Sequence, residues 1–414
     1  MEKQKNVPQT GSPALRFPEF KGEWEKKKLG EVTNYTKGFA FKSEDYTNEG
    51  KRIIRVSDLG SDTIKNDSEK IFIDEDKIKE LEKYKILKGE IIITTVGSKP
   101  EMIESAVGRG ILISNSELGY LNQNLLKINV SNEIDNRFIF GLLKSKEYET
   151  HIKQIQRGNA NQSNITVSDL FEFKIYLPSL PEQTKIANFL TAIDTKIQQL
   201  TQKKTLLEEY KKGVMQQLFS KKIRFKDENG KDYPDWEEKR LGEVTEINPK
   251  SKSLPKSFIY IDLESVVNGL LSKEEKIDKE NAPSRAQRLV KKNDILFQMV
   301  RPYQKNNLYF NRDGEYVAST GYAQIRTLNN PKYIYQYLHL QEFVDKVIER
   351  CTGTSYPAIN STDLGNINIL LPCLSEQTKI ANFLSAIDTK IENVTKQIEQ
   401  TQAYKKGLLQ QMFI

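Results

Sequence analysis

The side chains of this chain best suited to chemistry sit in polar loops between short apolar runs. In the first 177 residues they are Ser98, Lys99, Arg109, Asn122, Gln123, Arg157, Asn159, Asn161 and Gln162. In residues 221–371 they are Gln298, Arg301, Tyr303, Lys305, Thr354, Ser355 and Tyr356. Arg, Lys, Asn and Gln can bind base edges through paired hydrogen bonds, while Ser, Thr and backbone amides can hold phosphates. A solvated loop or turn accounts for any one of them equally well, so the loops carry the expectation more than individual residues do. The net charge of +7 and pI near 8.9 are compatible with a polyanionic partner without requiring one.

Catalytic chemistry is harder to assemble. There is no GxxxxGK[ST] phosphate loop, no HExxH, no GxSxG and no (D/N/S)PP(Y/F) target-base motif. Asn248-Pro249 and Asn330-Pro331 are each followed by lysine, which fits turns. With two cysteines, Cys351 and Cys373, and two histidines, His151 and His339, neither a zinc cluster nor a disulfide framework is expected. Both histidines fall in helical stretches with apolar neighbours. The 56 acidic residues are scattered, and their spacing selects no acid/base pair. The chain reads as non-catalytic, with no metal or cofactor of its own.

The elements that must position these loops are legible. At 414 residues, 37% hydrophobic and 29% charged, the chain has material for two to four domains at roughly 100 to 200 residues each. Mean hydropathy is −0.60, no apolar run approaches the roughly 18 residues of a membrane span, and the first residues lack the apolar centre of a signal peptide, so a cytoplasmic protein is expected. Strands are expected at 52–56, 90–96, 110–114 and 125–130, and again at 258–263 and 294–300, with 171–177 and 367–371 leading into helices. Helical stretches are expected at 137–157 and 331–351. Each globular block is therefore a mixed α/β or α+β domain.

The chain is also a duplication. Leu177–Ser220 aligns with Leu371–Ile414 at one offset (371 − 177 = 194), matching at more than half the positions, including EQTKIANFL and AIDTKI. In the first copy Ile186, Ile193, Leu200, Leu207 and Val214 fall seven apart, the seam of a coiled coil. In the second, Ile380, Ile387, Val394 and Leu408 keep that row and Thr401 interrupts it once. Helices of about 35 to 40 residues, near 55 Å long, need a partner, and the economical partner is the other copy. Heptads alone leave parallel and antiparallel pairing open. Ser179 and Glu182 have the spacing of a capping box, which Cys373 and Ser375 interrupt in the second copy, so its helix start is expected to shift by up to a turn. Trp24 to Thr33 and Trp236 to Thr245 open the two blocks alike, whereas the sequences between opening and helix diverge.

On these residues the chain resembles the DNA specificity subunit of type I restriction-modification systems. The resemblance rests on Leu177-Pro178, Glu182-Gln183, Ile186-Ala187, Leu190, Ile193-Asp194 and Ile197, on their copies from Leu371-Pro372 to Ile391, and on the Trp to Leu-Gly-Glu-Val openings at 24–32 and 236–244. It implies two target recognition domains, residues 1–177 and 221–371, each reading half of an asymmetric two-part site in double-stranded DNA. It further implies two long conserved helices, 178–220 and 372–414, forming an antiparallel coiled coil with a pseudo-two-fold repeat that sets the unread spacer. The implied partners are two modification subunits, which use S-adenosylmethionine to methylate adenine, and two restriction subunits, which use ATP and Mg2+ to translocate and cut DNA. A protein-binding scaffold and a stand-alone nuclease are the alternatives, distinguished by salt-dependent DNA affinity and by metal-dependent cutting.

Overall fold

The computed structural model describes residues 11–414 apart from 61, 66–68, 101–105, 115–117, 160, 161, 252 and 354. It divides into two compact units, one holding residues up to 200 together with 397–414, the other residues 201–396.

In the first unit an antiparallel sheet runs in the order Thr33–Lys37, Leu125–Val130, Ile91–Thr94, Gly110–Leu112. Ile91, Ile92, Ile93, Leu125, Leu126 and Ile128 are buried, as short unbroken apolar runs require when both faces are covered. A second sheet orders Tyr46–Thr47, Ile71–Ile73, Lys51–Ile54 and Tyr120–Leu121. The helical stretch after Val130 is two helices, Asn136–Leu142 and Lys146–Ile155, because Ser145 caps the second by accepting the Tyr148 N–H at 3.2 Å.

The second unit repeats this plan with other residues. Its first sheet orders Thr245–Ile247, Tyr322–Thr327, Ile295–Gln298 and Leu308–Tyr309; its second orders Lys276–Asp278, Ser257–Ile261, Tyr316–Ser319 and Ala286–Val290. The expected helix at 331–351 is likewise broken, into Pro331–Tyr337 and Gln341–Ile348.

The turn into the central strand is built alike in both units. Gly89 (φ 89°) and Asn293 (φ 72°) take the left-handed backbone, and the next residue is a buried carboxylate, Glu90 or Asp294. Glu90 accepts the Leu87 N–H and pairs with Lys127, both at 2.8 Å. Asp294 accepts the Lys291 N–H and pairs with Arg326, both at 2.7 Å. A buried carboxylate is tolerated here because each is matched by a cation and a main-chain donor.

The long helices run Leu180–Phe219 and Leu374–Met412, so they begin at the same offset (374 − 180 = 194) and the expected shift of the second start does not occur. The capping box does not form either, because Glu182 has other partners. Its buried carboxylate accepts two hydrogen bonds from Arg16, at 2.7 and 2.8 Å, and one from the Trp24 indole at 3.3 Å. Glu376 does the same with Arg224, at 3.1 and 2.8 Å, and Trp236, at 2.9 Å. The neighbouring glutamines are equally committed: Gln183 donates to the Pro178 carbonyl and Gln377 to that of Pro372, each at 2.8 Å, and they accept the N–H of Asp135 and Asn330. The repeated Leu-Pro and Glu-Gln pairs thus fasten each helix start to its own unit.

Each unit also contains the far end of the other long helix. In the first, Ile186, Ala187, Leu190 and Ile193 share a core with Leu408, Leu409, Met412 and Phe413. In the second, Ile380, Ala381, Leu384 and Ile387 share one with Met215, Leu218 and Phe219, and Val214 packs at its edge. Start against end is antiparallel packing, the alternative that heptads left open. The ion pairs agree: Asp194 meets Lys405 in the first unit, and Lys211 meets Asp388 at 2.6 Å in the second, the same two positions with roles exchanged (194 + 194 = 388; 211 + 194 = 405). Of the remaining seam residues, Leu200 and Leu207 are half-buried and Val394 is buried.

Candidate nucleic-acid interface

In both units the central strand leaves the core and runs into a corner where it meets the loop that follows the two short helices. In the first unit the Thr95 carbonyl accepts the Ile165 N–H, while its own N–H donates to Asn124 O, both at 2.9 Å. Val96–Gly97 then pairs with Gln162–Asn164, which pairs in turn with Arg157–Asn159. This three-stranded edge carries the exposed Arg157 and Gln162, and the half-buried Ser98, which bridges Ala106, and the exposed Lys99 follow directly after its Gly97. Arg157 donates to Asp169 at 2.8 Å. The exposed Gln123 lies on the turn whose Asn124 carbonyl receives Thr95, beside the buried Asn122. The Arg109 carbonyl accepts the Thr94 N–H and the Arg109 N–H donates to the Thr94 hydroxyl, and the residue lines an open cleft of about 380 Å³ with Lys144, Tyr148 and Glu149. Of Asn159 only the backbone is described, and Asn161 lies outside the described residues.

In the second unit the Met299 carbonyl accepts the Ile359 N–H at 3.1 Å, the counterpart of the Thr95–Ile165 bond (359 − 165 = 194). Val300 bridges Ala358 and the Arg301 N–H donates to the Pro357 carbonyl at 2.8 Å. The chain then makes a single 3-10 turn, Pro302–Gln304, between two left-handed non-glycine residues, Arg301 (φ 53°) and Lys305 (φ 52°). Such backbone costs about 1–3 kcal/mol per residue and persists only where its surroundings enforce it.

The enforcing groups are Gln298 and Lys305. Gln298, buried beneath the loop, donates to the Val300 carbonyl at 2.7 Å and to Gln304 Oε1 at 2.8 Å, while its N–H donates to Asn307 Oδ1 at 2.9 Å. Lys305 reaches back to the His339 carbonyl at 3.1 Å and to Gln341 at 2.9 Å, and burial lowers its pKa. Tyr303, Gln304, Ser355 and Tyr356 are exposed, and Arg301 is half-buried. The Arg301 guanidinium sits over the Tyr356 ring, 4.3 Å from its centre. Thr354 lies outside the described residues. Gln298 and Lys305 thus hold the loop, and Arg301, Tyr303 and Tyr356 are presented by it.

Both histidines are occupied elsewhere. His151 contacts the Asp169 carbonyl at 3.0 Å and stacks on Phe173. His339 bonds the Tyr335 carbonyl, and burial pushes it down to about 4. Among the described residues no three His, Cys, Asp or Glu side chains are grouped to hold a metal ion, and no helix is long and apolar enough to cross a membrane.

The model for the type I restriction modification DNA specificity domain matches this chain twice, at residues 21–209 and 233–402. The chain belongs to that family. Among its relatives, the putative type I restriction enzyme MjaX specificity subunit of Methanocaldococcus jannaschii is 27% identical over 400 residues, 94% of this chain and 92% of the relative. The MjaVIII specificity subunit of the same organism is 27% identical over 319 residues, covering 70% of this chain and 72% of that one. The HindI specificity subunit of Haemophilus influenzae is 26% identical over 181 residues, 40% of this chain and 38% of its own length. The crystal structure of a type I system S subunit from M. genitalium aligns over 97% of this chain and 99% of its own with a TM-score of 0.61, at 18% identity, a likeness of fold. As a specificity subunit the chain supplies the DNA sequence preference of a restriction-modification complex and is not itself catalytic.

Sequence reasoning missed the arginines that anchor each helix start, Arg16 and Arg224. A signal existed, since Arg-Phe recurs before each opening Trp. Its spacing changes (24 − 16 = 8; 236 − 224 = 12), which hides it from a fixed-offset comparison.

Proposed function

We propose that each unit reads one half of an asymmetric two-part DNA site through the corner built by the loop after its central strand and the loop near 157–164 or 352–358. The observation that carries this is that both corners share their main-chain bonds, Thr95–Ile165 and Met299–Ile359, but not their side chains. A common scaffold with different presented groups is what two different half-sites ask for. In functional terms residues 1–177 and 221–371 are the recognition domains, and 178–220 and 372–414 are spacer helices whose pairing fixes an unread gap, as dimer geometry fixes half-site spacing in other DNA-binding proteins.

Catalysis lies with partners in this reading. Two modification subunits transfer methyl groups from S-adenosylmethionine to adenine, and two restriction subunits use ATP and Mg2+ to translocate and cut unmodified DNA. This chain holds none of these cofactors and acts in the cytoplasm. The test is methylation mapping of DNA from a host carrying this chain with its modification subunit, and with residues 221–370 exchanged for those of another family member. The expected result is a two-part adenine motif of which the exchange alters one half only. An assembled complex that yields no such motif would overturn the reading.

A further inference from the structure

We propose that Arg301 reads a guanine in the half-site of the second unit, held in place for it by the ring of Tyr356. This rests on the half-site reading above and adds the base and the residue. Arg224, Arg312 and Arg326 of the same unit each face a carboxylate, Glu376, Glu274 and Asp294. Arg301 has neither a hydrogen bond nor an ion pair from its side chain to any of the described residues, and its contact is the Tyr356 ring at 4.3 Å. Stacking on a ring restrains a guanidinium without using its N–H donors, so all five remain for a ligand.

The backbone beneath is set in advance. The left-handed Arg301 is tied to Pro357, one residue from Tyr356, so the two halves of the stack are joined through the main chain as well. Gln298 and Lys305 pin the loop on either side. A donor pair arranged this way selects among bases by acceptor pattern. Guanine offers O6 and N7 side by side in the major groove, whereas adenine sets an N6 donor beside N7 and thereby rejects one of the two N–H groups. In the first unit the equivalent positions are Gly97 and Gln162 (356 − 194 = 162), which supply no guanidinium, and the arginine of that edge, Arg157, is paired with Asp169.

The experiment is methylation mapping of the assembled complex carrying the wild-type chain, Arg301→Ala, Arg301→Lys or Tyr356→Ala, with competition binding by duplexes in which 7-deazaguanine replaces guanine in the second half-site. We expect a fixed guanine in that half of the wild-type motif, relaxed to any base by Arg301→Ala and only partly kept by Arg301→Lys, which retains the charge but loses the planar fork, with the first half retained in each. Loss of N7 should weaken wild-type binding roughly 5- to 150-fold, the range of one bidentate contact, and leave Arg301→Ala little changed. Tyr356→Ala should fall between the wild type and Arg301→Ala. Three results would overturn the assignment: a second half without guanine, an unchanged motif in Arg301→Ala, or uniform weakening that Arg301→Lys restores, the mark of a phosphate contact. A wild-type complex with no two-part motif would instead overturn the half-site reading, and this proposal with it.

Discussion

The two corners differ where they face solvent and agree where they face the core. Thr95–Ile165 and Met299–Ile359 are the same main-chain bond, and Glu90–Lys127 and Asp294–Arg326 are the same buried pair with different side chains. Yet one corner presents a regular hairpin edge with Gly97 and Gln162, and the other a strained loop with Arg301 stacked on Tyr356. Recognition can change without cost to the fold because the presented side chains bury little, while the supporting bonds involve backbone and buried charge.

The comparison breaks most severely at the anchors of the helix starts. Glu182→Ala and Glu376→Ala each leave an arginine and an indole N–H unpaired, and each is expected to cost about 3–5 kcal/mol in its own unit. Hydrogen exchange resolved along the chain should show lost protection around Trp24 for the first substitution and around Trp236 for the second. Equal losses would confirm that the scaffold is common; a loss in one alone would show that the units are stabilised differently.

Acid should separate the units by a slightly smaller amount. The helices around it begin at Asn136 and Pro331 and at Lys146 and Gln341, an offset of 195, so the position that is His339 in the second unit is Lys144 in the first. Burial holds the folded pKa of His339 at about 4, below the value near 6.5 of an unfolded chain. The unfolded state therefore takes up a proton first as pH falls. The second unit should lose about 3 kcal/mol between pH 6.5 and 4, with no contribution from this group above 6.5. Denaturation followed across that range should show the decline in the second unit, and a decline persisting in His339→Phe would assign it elsewhere.

Packing at the helix ends gives a smaller effect. A Cβ on Gly141 would lie 2.9 Å from Phe413 Cζ and 3.3 Å from Leu190 Cδ1, so Gly141→Ala should destabilise the first unit by about 1–3 kcal/mol, seen as a lower melting temperature. The smallest expected change in stability, about 1 kcal/mol, comes from Gln298→Ala, which frees the Val300 carbonyl and Gln304. Its readout is the motif: the second half should become degenerate while the first stays fixed. An unchanged second half would show that the loop holds its shape without Gln298.

Much of the architecture was legible because it rests on period and repetition. The strand at 125–130 matches residue for residue, and those expected at 90–96 and 294–300 are shorter, Ile91–Thr94 and Ile295–Gln298, because each chain leaves the sheet to form its corner. The breaks inside 137–157 and 331–351 escaped notice, since a helical apolar pattern continues across a short turn between two packed helices. Of the candidate site residues, Gln298 and Asn122 are buried, and the polar stretch at 157–164, expected as a loop, includes two paired strands, Arg157–Asn159 and Gln162–Asn164. Composition cannot tell a glutamine that reads a base from one that holds a loop.

By itself the sequence determined the duplication, the two long helices with their apolar rows, the strand-rich blocks and the lack of catalytic motifs, since these depend on local period and residue type. Only the tertiary structure decided that each helix start packs against the other helix's end, that the repeated glutamates bind arginine and tryptophan in place of capping, and which loop residues face outward. The first two outcomes depend on contacts between residues far apart in the chain, such as Arg16 with Glu182 and Asp194 with Lys405, and the third on contacts such as Arg301 with Pro357 that join separate loops. Local pattern carries no information about such pairs until the buried charge and apolar surface of the whole unit must be satisfied together.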